Sequence, residues 1–230
     1  MISLPSMLSI VIPTLNAARD LERSLSAAFS AGALPIEVII ADGGSSDGTA
    51  QMALKHGARL IEAMPERGSQ LAAGAQAATG EWLLFLHADT LLAPGWAEAA
   101  AAFAADGGNH RRAAVFRFAL DDDGQPARRM ERLVAWRTRV LGLPYGDQGL
   151  LIGRNFYTDL GAFKSLPLME DVDMIRRIGR RRLALLDVAA ITSAERFRRG
   201  GYLLRPLRNL FCLGLFFLGV PAGRIARIYE

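Results

Sequence analysis

The residues whose types and spacing suit chemistry are Asp42, within Ile36-Glu-Val-Ile-Ile-Ala-Asp-Gly-Gly-Ser-Ser-Asp-Gly-Thr49, the His87-Ala-Asp-Thr90 element, and the carboxylates of Met169-Glu-Asp-Val-Asp173. The apolar, β-branched run before Asp42 suits a strand buried on both faces, which delivers a carboxylate to its carboxyl end. Ligands of open α/β sheets bind at that edge, and Gly43, Gly44 and Gly48 let a backbone approach a flat ring or a phosphate. Ser46 or Asp47 is suited to cap the next helix. A β-turn with a helix cap and no ligand explains the same residues, and that alternative stays open on this stretch alone. Glu170, Asp171 and Asp173 would complement the positive end of a helix dipole, itself an ordinary use of first-turn acids.

The elements that must position these groups alternate. Ser9-Ile-Val-Ile12 reads as a first strand broken by Pro13, with Asn16 as N-cap of a helix carrying Leu21, Leu25, Ala28 and Phe29 on one face. The Asp42 strand follows, and its helix ends near Gly57. Ala58 to Glu62 is a third strand, and the alanine-rich segment from Arg67 to Gly80 is a helix packed closely on the sheet. Trp82 to Leu86 is a fourth strand that brings His87 and Asp89 to the edge already holding Asp42. This β-α alternation predicts a doubly wound, Rossmann-like, mostly parallel sheet flanked by helices. Beyond it, Ala113 to Leu120 alternates as a strand, Met130, Leu133, Val134 and Leu141 form an amphipathic helix, and Gly146-Asp-Gln-Gly149 turns into Leu150-Leu-Ile152.

Composition narrows the class. A chain of 230 residues, 51% hydrophobic and 22% charged, buries a sizeable core and is not disordered. The net charge of +4 comes from clusters such as Arg176-Arg177, Arg180-Arg-Arg182 and Arg196-Phe-Arg-Arg199, which suit anions: phosphates, a nucleotide or an acidic lipid surface. No nucleic-acid motif appears, so no nucleic-acid partner is expected. The single cysteine, Cys212, excludes an internal disulfide and a cysteine zinc cluster. With no evident signal peptide at the start, a cytoplasmic location is expected, or a peripheral one at the inner face of the membrane.

Pro13-Thr-Leu-Asn16, Asp42-Gly-Gly-Ser-Ser-Asp-Gly-Thr49, Arg67-Gly68, His87-Ala-Asp89 and Glu170-Asp171 occur in the order seen in family 2 glycosyltransferases of the GT-A fold, and the chain resembles that family over nearly its whole length. Gly146-Asp-Gln-Gly149, Met169-Glu-Asp-Val-Asp173 and Pro221-Ala-Gly-Arg-Ile-Ala-Arg-Ile-Tyr229 resemble a subgroup, the radical-SAM/selenodomain-associated glycosyltransferases. The resemblance implies a uridine- or guanosine-linked nucleotide-sugar donor and a divalent metal, Mg²⁺ or Mn²⁺. Pro13, Thr14 and Asn16 match the first nucleotide-contacting loop, Asp42 the carboxylate that accepts from the base, and Arg67 a donor near base and ribose. Asp89 matches the last aspartate of the metal-holding Asp-x-Asp element. His87 stands where that element has its first aspartate, which puts the metal's identity in question. A histidine merely satisfied at a strand end is the plain alternative. Asp171, beside Glu170, matches the general base of inverting members. Arg196 and Arg199 fall, with Arg198, in a basic segment near the diphosphate, where Glu195 would orient an arginine or stay exposed. Asp147 and Gln148 resemble acceptor-side or sugar-side contacts, or else belong to a turn before a buried strand.

The expected division is a glycosyltransferase domain over residues 1–200, with a nucleotide-binding half to about residue 95 and an acceptor half from about 96, followed by an apolar and basic helical tail over 201–230. The run Asn209-Leu-Phe-Cys-Leu-Gly-Leu-Phe-Phe-Leu-Gly-Val220, continued by Pro221-Ala222, spans only about 21 Å as a helix, short of a bilayer. Its flanking Arg205, Arg208, Arg224 and Arg227 suit an anionic membrane interface, while docking on the catalytic domain or on a second subunit of a homodimer is the alternative. The acceptor is open, a lipid-linked hydroxyl being one candidate. Two rivals stand beside sugar transfer. One is a nucleotidyltransferase on a related sheet, which would normally carry a glycine-rich basic loop where Pro13-Thr-Leu-Asn16 stands. The other is a non-catalytic, membrane-peripheral nucleotide-sugar binder.

Overall fold

The computed structural model describes residues 7–202 and 204–229, and the side chains at 196, 199, 204 and 205 fall outside the described set. Eight strands form one sheet: β1 Leu8–Thr14, β2 Ile36–Asp42, β3 Arg59–Glu62, β4 Trp82–Phe85, β5 Thr90–Leu92, β6 Ala113–Leu120, β7 Leu150–Gly153 and β8 Leu183–Thr192. Their order is β3-β2-β1-β4-β7-β6-β8-β5. Strands β3, β2, β1 and β4 are mutually parallel, β6 and β8 are parallel, and β4–β7, β7–β6 and β8–β5 are antiparallel. The sheet is therefore parallel through the first half of the chain and mixed beyond it. The helices are α1 Ala18–Phe29, α2 Thr49–Lys55, α3 Arg67–Ala77, α4 Trp96–Ala105, α5 Gln125–Trp136, α6 Arg154–Asp159, α7 Glu170–Ile178, α8 Glu195–Gly200, α9 Leu204–Phe217 and α10 Ala222–Tyr229.

Strand alternation divides the core into two layers. Ile10, Ile12, Val38, Ile40 and Leu84 pack under α1, α2 and α4, while Val11, Ile39, Leu83 and Phe85 pack under α3, α6 and α7. Burial on both faces is why these strands read as continuous apolar runs. Helix α3 lies close: a Cβ on Gly74 would sit 2.3 Å from a Val11 methyl. Chain order reverses between β1 and β4, since β2 and β3 lie on one side of β1 and β4 on the other. Such a reversal opens a crevice at the carboxyl ends of the two strands.

Two local expectations are corrected. Pro13 does not break β1, which continues to Thr14 and pairs Pro13 with Ala41. Pro13 is in phase with Val11, whose carbonyl accepts from Leu86, so its missing N–H faces the side on which β4 has already ended. Asn16 is not the helix cap. It has a φ of 51°, and its Oδ1 accepts from Ser46 N–H at 2.9 Å, while the helix starts behind Ala17.

The C-terminal pair α9 and α10 packs on the body of the protein. Cys212, Leu213 and Ile225 are buried against Met169 and Val172 at the start of α7, with Tyr145 and Tyr229 packed at the edge of the cluster. Among the described residues no helix is long and apolar enough to cross a membrane.

Candidate active site

The carboxyl end of β2 is built around Asp42. Its Oδ1 accepts from the Thr14 hydroxyl at 2.8 Å and the Ser45 hydroxyl at 2.5 Å, and its Oδ2 from the N–H groups of Ser45 at 2.7 Å and Gly44 at 3.0 Å. Burial pushes this carboxyl up, but the Ser45 and Thr14 hydroxyls and the two N–H donors outweigh it and hold Asp42 below the usual carboxylate range. Asp47 ties the same loop to α1 and α2, accepting from Ala18 N–H at 3.1 Å and Thr49 N–H at 3.1 Å. Beneath the loop a residue without an assigned role in the motifs, Gln70, is buried and donates to the carbonyls of Thr14 at 2.6 Å and Ala41 at 2.9 Å. It clamps the ends of β1 and β2 from α3. Its only sequence signal is a polar residue on the helix face that meets the sheet.

Gly68, in the first turn of α3, has the loop of residues 164–166 pressed onto it, so that a Cβ there would meet the Lys164 carbonyl at 2.1 Å. That close approach brings α7 beside α3. Arg67 Nη1 lies 3.7 Å from Glu170 Oε1, the arginine side chain 41% exposed and the glutamate 2%. Burial works against the Arg67 charge, but the negative charges of Glu170, Asp171 and Asp89 prevail and raise its pKa. Glu170 is shifted upward: burial is the largest cause, Asp171 adds to it, and Arg67 opposes.

A pocket opens between β4, α7 and the turn before β7. Its floor is apolar, with Leu71, Phe85, Val115 and Ile175, and its polar wall is His87, Gly146, Glu170 and Asp171. Asp171 Oδ2 accepts from Gly146 N–H at 2.7 Å, and its Oδ1 from Val172 N–H at 2.7 Å. A Cβ on Gly146 would lie 2.5 Å from His87 Nε2 and 3.5 Å from Asp171 Oδ2. Glycine at 146 is thus what lets the imidazole and the carboxylate face each other across the turn. The motif Gly146-Asp-Gln-Gly149 pointed to the turn but not to this role.

Among the described residues Asp147 Oδ1 is buried without a hydrogen-bond partner, and the Asp147 pKa is pushed up to about 6 by burial, with Arg137 opposing and Asp171 and Asp89 adding to the rise. The Arg137 guanidinium lies 3.5 Å over the Tyr145 ring, a stacking contact that no motif indicated. Gln148 supports the turn before β7. It is 1% exposed, its amide donates to the Phe116 carbonyl at 3.0 Å, and its Oε1 accepts from the Thr138 hydroxyl at 2.9 Å. Asp173 is taken up by Lys164 at 2.9 Å and Arg177 at 2.6 Å, so it belongs to the scaffold.

The two residues expected at a metal divide between clefts. His87 lines the pocket just described, and Asp89 lines a neighbouring cleft with Asp20, Arg23, Ser24, Asp121 and Ser193. Asp89 still acts electrostatically on both Arg67 and Asp147. Among the described residues no three His, Cys, Asp or Glu side chains could hold a metal ion by themselves. The donor set nevertheless fits a hard divalent cation whose shell is completed by phosphate oxygens. Carboxyl groups at 89, 147, 170 and 171 lie within electrostatic reach of Arg67 or Arg137, and one Asp147 oxygen has no hydrogen-bond partner among the described residues. Arg196 and Arg199 have side chains outside the described residues. Arg198 binds Asp122 at 3.1 Å, and Glu195 pairs with Arg19 of α1 at 2.7 Å.

A sequence profile for glycosyl transferase family 2 matches residues 9–165, from β1 to the loop that covers Gly68. The chain belongs to glycosyl transferase family 2. The matched span covers Asp42, Arg67, His87, Asp89 and Asp147 and ends before Glu170 and Asp171. Among solved structures, glucosyl-3-phosphoglycerate synthase from Mycobacterium tuberculosis, in complex with Mn²⁺, uridine-diphosphate and glucosyl-3-phosphoglycerate, is similar at 20% identity. The match covers 94% of this chain and 81% of that one with a TM-score of 0.64. Mannosyltransferase PcManGT from Pyrobaculum calidifontis, in complex with GDP-Man and Mn²⁺, is similar at 19% identity over 87% of this chain and 59% of that one, with a TM-score of 0.63. At these identities the likeness is one of fold. No curated protein sequence matches the chain.

Proposed function

We propose that this glycosyl transferase family 2 domain moves a sugar from a nucleoside-diphosphate sugar to an acceptor hydroxyl with inversion at the anomeric carbon. One observation carries the reading: Asp171, fixed by the Gly146 N–H, lines with His87 and Glu170 one pocket at the strand ends where the family motifs meet. The relatives of like fold, crystallised with uridine- or guanosine-linked donors and Mn²⁺, support the choice of donor class.

In this reading the ends of β1 and β2 hold the base. Asp42 gives up its Ser45 hydroxyl bond to accept from a base N–H, a charge-assisted exchange that leaves its three other donors in place. Pro13, Thr14 and Asn16 line the same edge, and Arg67 reaches the donor from the exposed part of its side chain. Asp89 and His87, which line neighbouring clefts, would hold a divalent cation between them together with diphosphate oxygens, with Asp147 in electrostatic reach of Asp89. The cation's chemistry is to stabilise charge on the departing diphosphate. Asp171 takes the acceptor proton as the acceptor oxygen bonds to the anomeric carbon and the bond to the diphosphate oxygen breaks. The buried Glu170 and Arg67 keep that carboxylate in place. Arg196 and Arg199 lie in the chain segment suited to the leaving group. The motifs at 146–149, 169–173 and 221–229 favour the radical-SAM/selenodomain-associated subgroup, whose acceptor the residues here do not specify.

The experiment is a thermal shift with uridine- and guanosine-diphosphate, with and without Mn²⁺, followed by a panel of nucleotide sugars. A rise in midpoint that needs both nucleotide and metal is expected. No shift with any nucleoside diphosphate overturns the donor site.

A further inference from the structure

Helix α9 is apolar on two faces, and only one of them is covered. Cys212 and Leu213 are buried against α7 and α10. On the opposite side Leu207 is 61% exposed, Leu210 61%, Phe211 58% and, just past the helix, Leu218 82%, while Phe217 borders that side with the Arg176 guanidinium of α7 over its ring at 4.9 Å. The spacing i, i+3, i+4 and i+11 keeps these four on one stripe of a 3.6-residue helix. A stripe of that size is more than the single exposed apolar residues normal on a protein surface. A second exposed stripe, with Leu133 and Trp136 each at 53%, lies on α5, and both helices reach the same corner. Arg137, directly after α5, stacks on Tyr145, and Tyr145 packs with the α9–α10 pair.

Charge identifies the occupant. Residues 201–230 contain four arginines, at 205, 208, 224 and 227, against a single acid, Glu230. Arg224 and Arg227 are exposed on α10, next to an exposed Ile228, whereas Arg208 lies over the Tyr229 ring at 4.6 Å. Two copies meeting through this surface would bring a net excess of like charge together. Aliphatic and aromatic side chains on one side of a short helix, bordered by a net excess of cations, match the boundary between acyl chains and acidic headgroups.

We propose that the outer face of α9, with the arginines of α10, seats the protein on an anionic lipid membrane, with α9 lying in the plane of the interface. The inner face of the same helix packs on the start of α7, so the seated surface and the carboxylates at 170 and 171 belong to one packed unit.

The test is flotation of the full chain with phosphatidylcholine vesicles and with mixed phosphatidylcholine–phosphatidylglycerol vesicles, without nucleotide, so that the result stands or falls independently of the donor site. The protein should float with the mixed vesicles, and added salt should weaken the binding. Leu210→Ser with Phe211→Ser should lower partitioning at least about tenfold, because each exposed side chain loses its burial in lipid. Arg224→Gln with Arg227→Gln should lower it roughly tenfold on acidic vesicles while leaving the thermal midpoint unchanged. The arginine pair keeps the test decisive if the apolar pair fails to fold. Three outcomes overturn the proposal: no flotation with either vesicle, equal binding by both variants and the unchanged chain, or a dimer in light scattering that the apolar variant converts to monomer while vesicles stay unbound.

Discussion

Asp42, at the end of β2, is 6% exposed and accepts from three donors of its own loop and the Thr14 hydroxyl of β1, whereas Glu170, at the start of α7, is 2% exposed and faces the Arg67 guanidinium at 3.7 Å with Asp171 beside it. Burial acts on both in the same direction. In Asp42 it is overcome by hydrogen bonds, and in Glu170 it is reinforced by a neighbouring negative charge. The first corner is complete without a ligand, and its carboxylate fixes the shape of the loop. In the second, burial and the neighbouring Asp171 favour the protonated carboxyl against the pull of Arg67. A wall that must present one geometry and a centre that must change its charge state during a reaction are expected to differ in this way.

The comparison breaks most severely at Asp171. Asp171→Asn should lower sugar transfer by roughly 10²- to 10⁴-fold while leaving the nucleotide-dependent thermal shift intact. Transfer that survives in a folded Asn variant would remove Asp171 as the base. Gly146→Ala comes next. The added methyl cannot fit 2.5 Å from His87 Nε2, so the imidazole must move, and a misplacement of that kind should cost about 10²-fold in kcat with a smaller change in nucleotide binding. Asp89→Ala should erase the part of the thermal shift that depends on Mn²⁺ and keep the part that does not.

Asp42→Asn tests the other side by stability. Its Nδ2 cannot accept the donors now shared with Oδ2 or Oδ1, and a midpoint drop equivalent to about 1–3 kcal/mol is expected. The smallest effect is one of sign. Asp147 has a folded pKa near 6, raised from 3.8, so the folded state holds its proton longer than the unfolded chain, and the stability it contributes is lost as pH rises from about 4 to about 6. Asp42 behaves oppositely, with stability lost as pH falls through its ordinary range. In chelator, Asp147→Asn should therefore gain stability over the unchanged protein between pH 4 and 6, and Asp42→Asn should lose most at neutral pH. Parallel pH profiles for the two variants would mean that the corners are not electrostatically different.

Much of this contrast was legible in residue order, and its missing parts have physical causes. The strand ending at Asp42, the strand Ala113–Leu120 and the helix opening at Glu170 follow from local apolar periodicity, which a sequence displays directly. Strands β5 and β8 were not legible, because β5 has three residues and β8 is half-exposed over much of its length, and they are defined by partners about seventy (β6–β8) to about a hundred (β5–β8) residues away in the chain. Pro13 looked like a terminator because nothing local tells that the neighbouring strand ends first. The burial of Gln148 was not legible because it depends on Phe116 and Thr138, which only the fold brings to it. The apolar tail was evident from composition. That α9 covers one face and leaves the other open required the packing of α7.

Met169 has a φ of 65°, in the left-handed region where a side chain is disfavoured, and it stands directly before Glu170 and Asp171. Its side chain is buried with Cys212, Leu213 and Ile225, so contacts from the far end of the chain hold that backbone twist. Amide protons in the first turn of α7 should therefore exchange with solvent no more slowly than those of α9. The last thirty residues and the helix carrying the reactive carboxylates would open and close together, as a single unit of local unfolding.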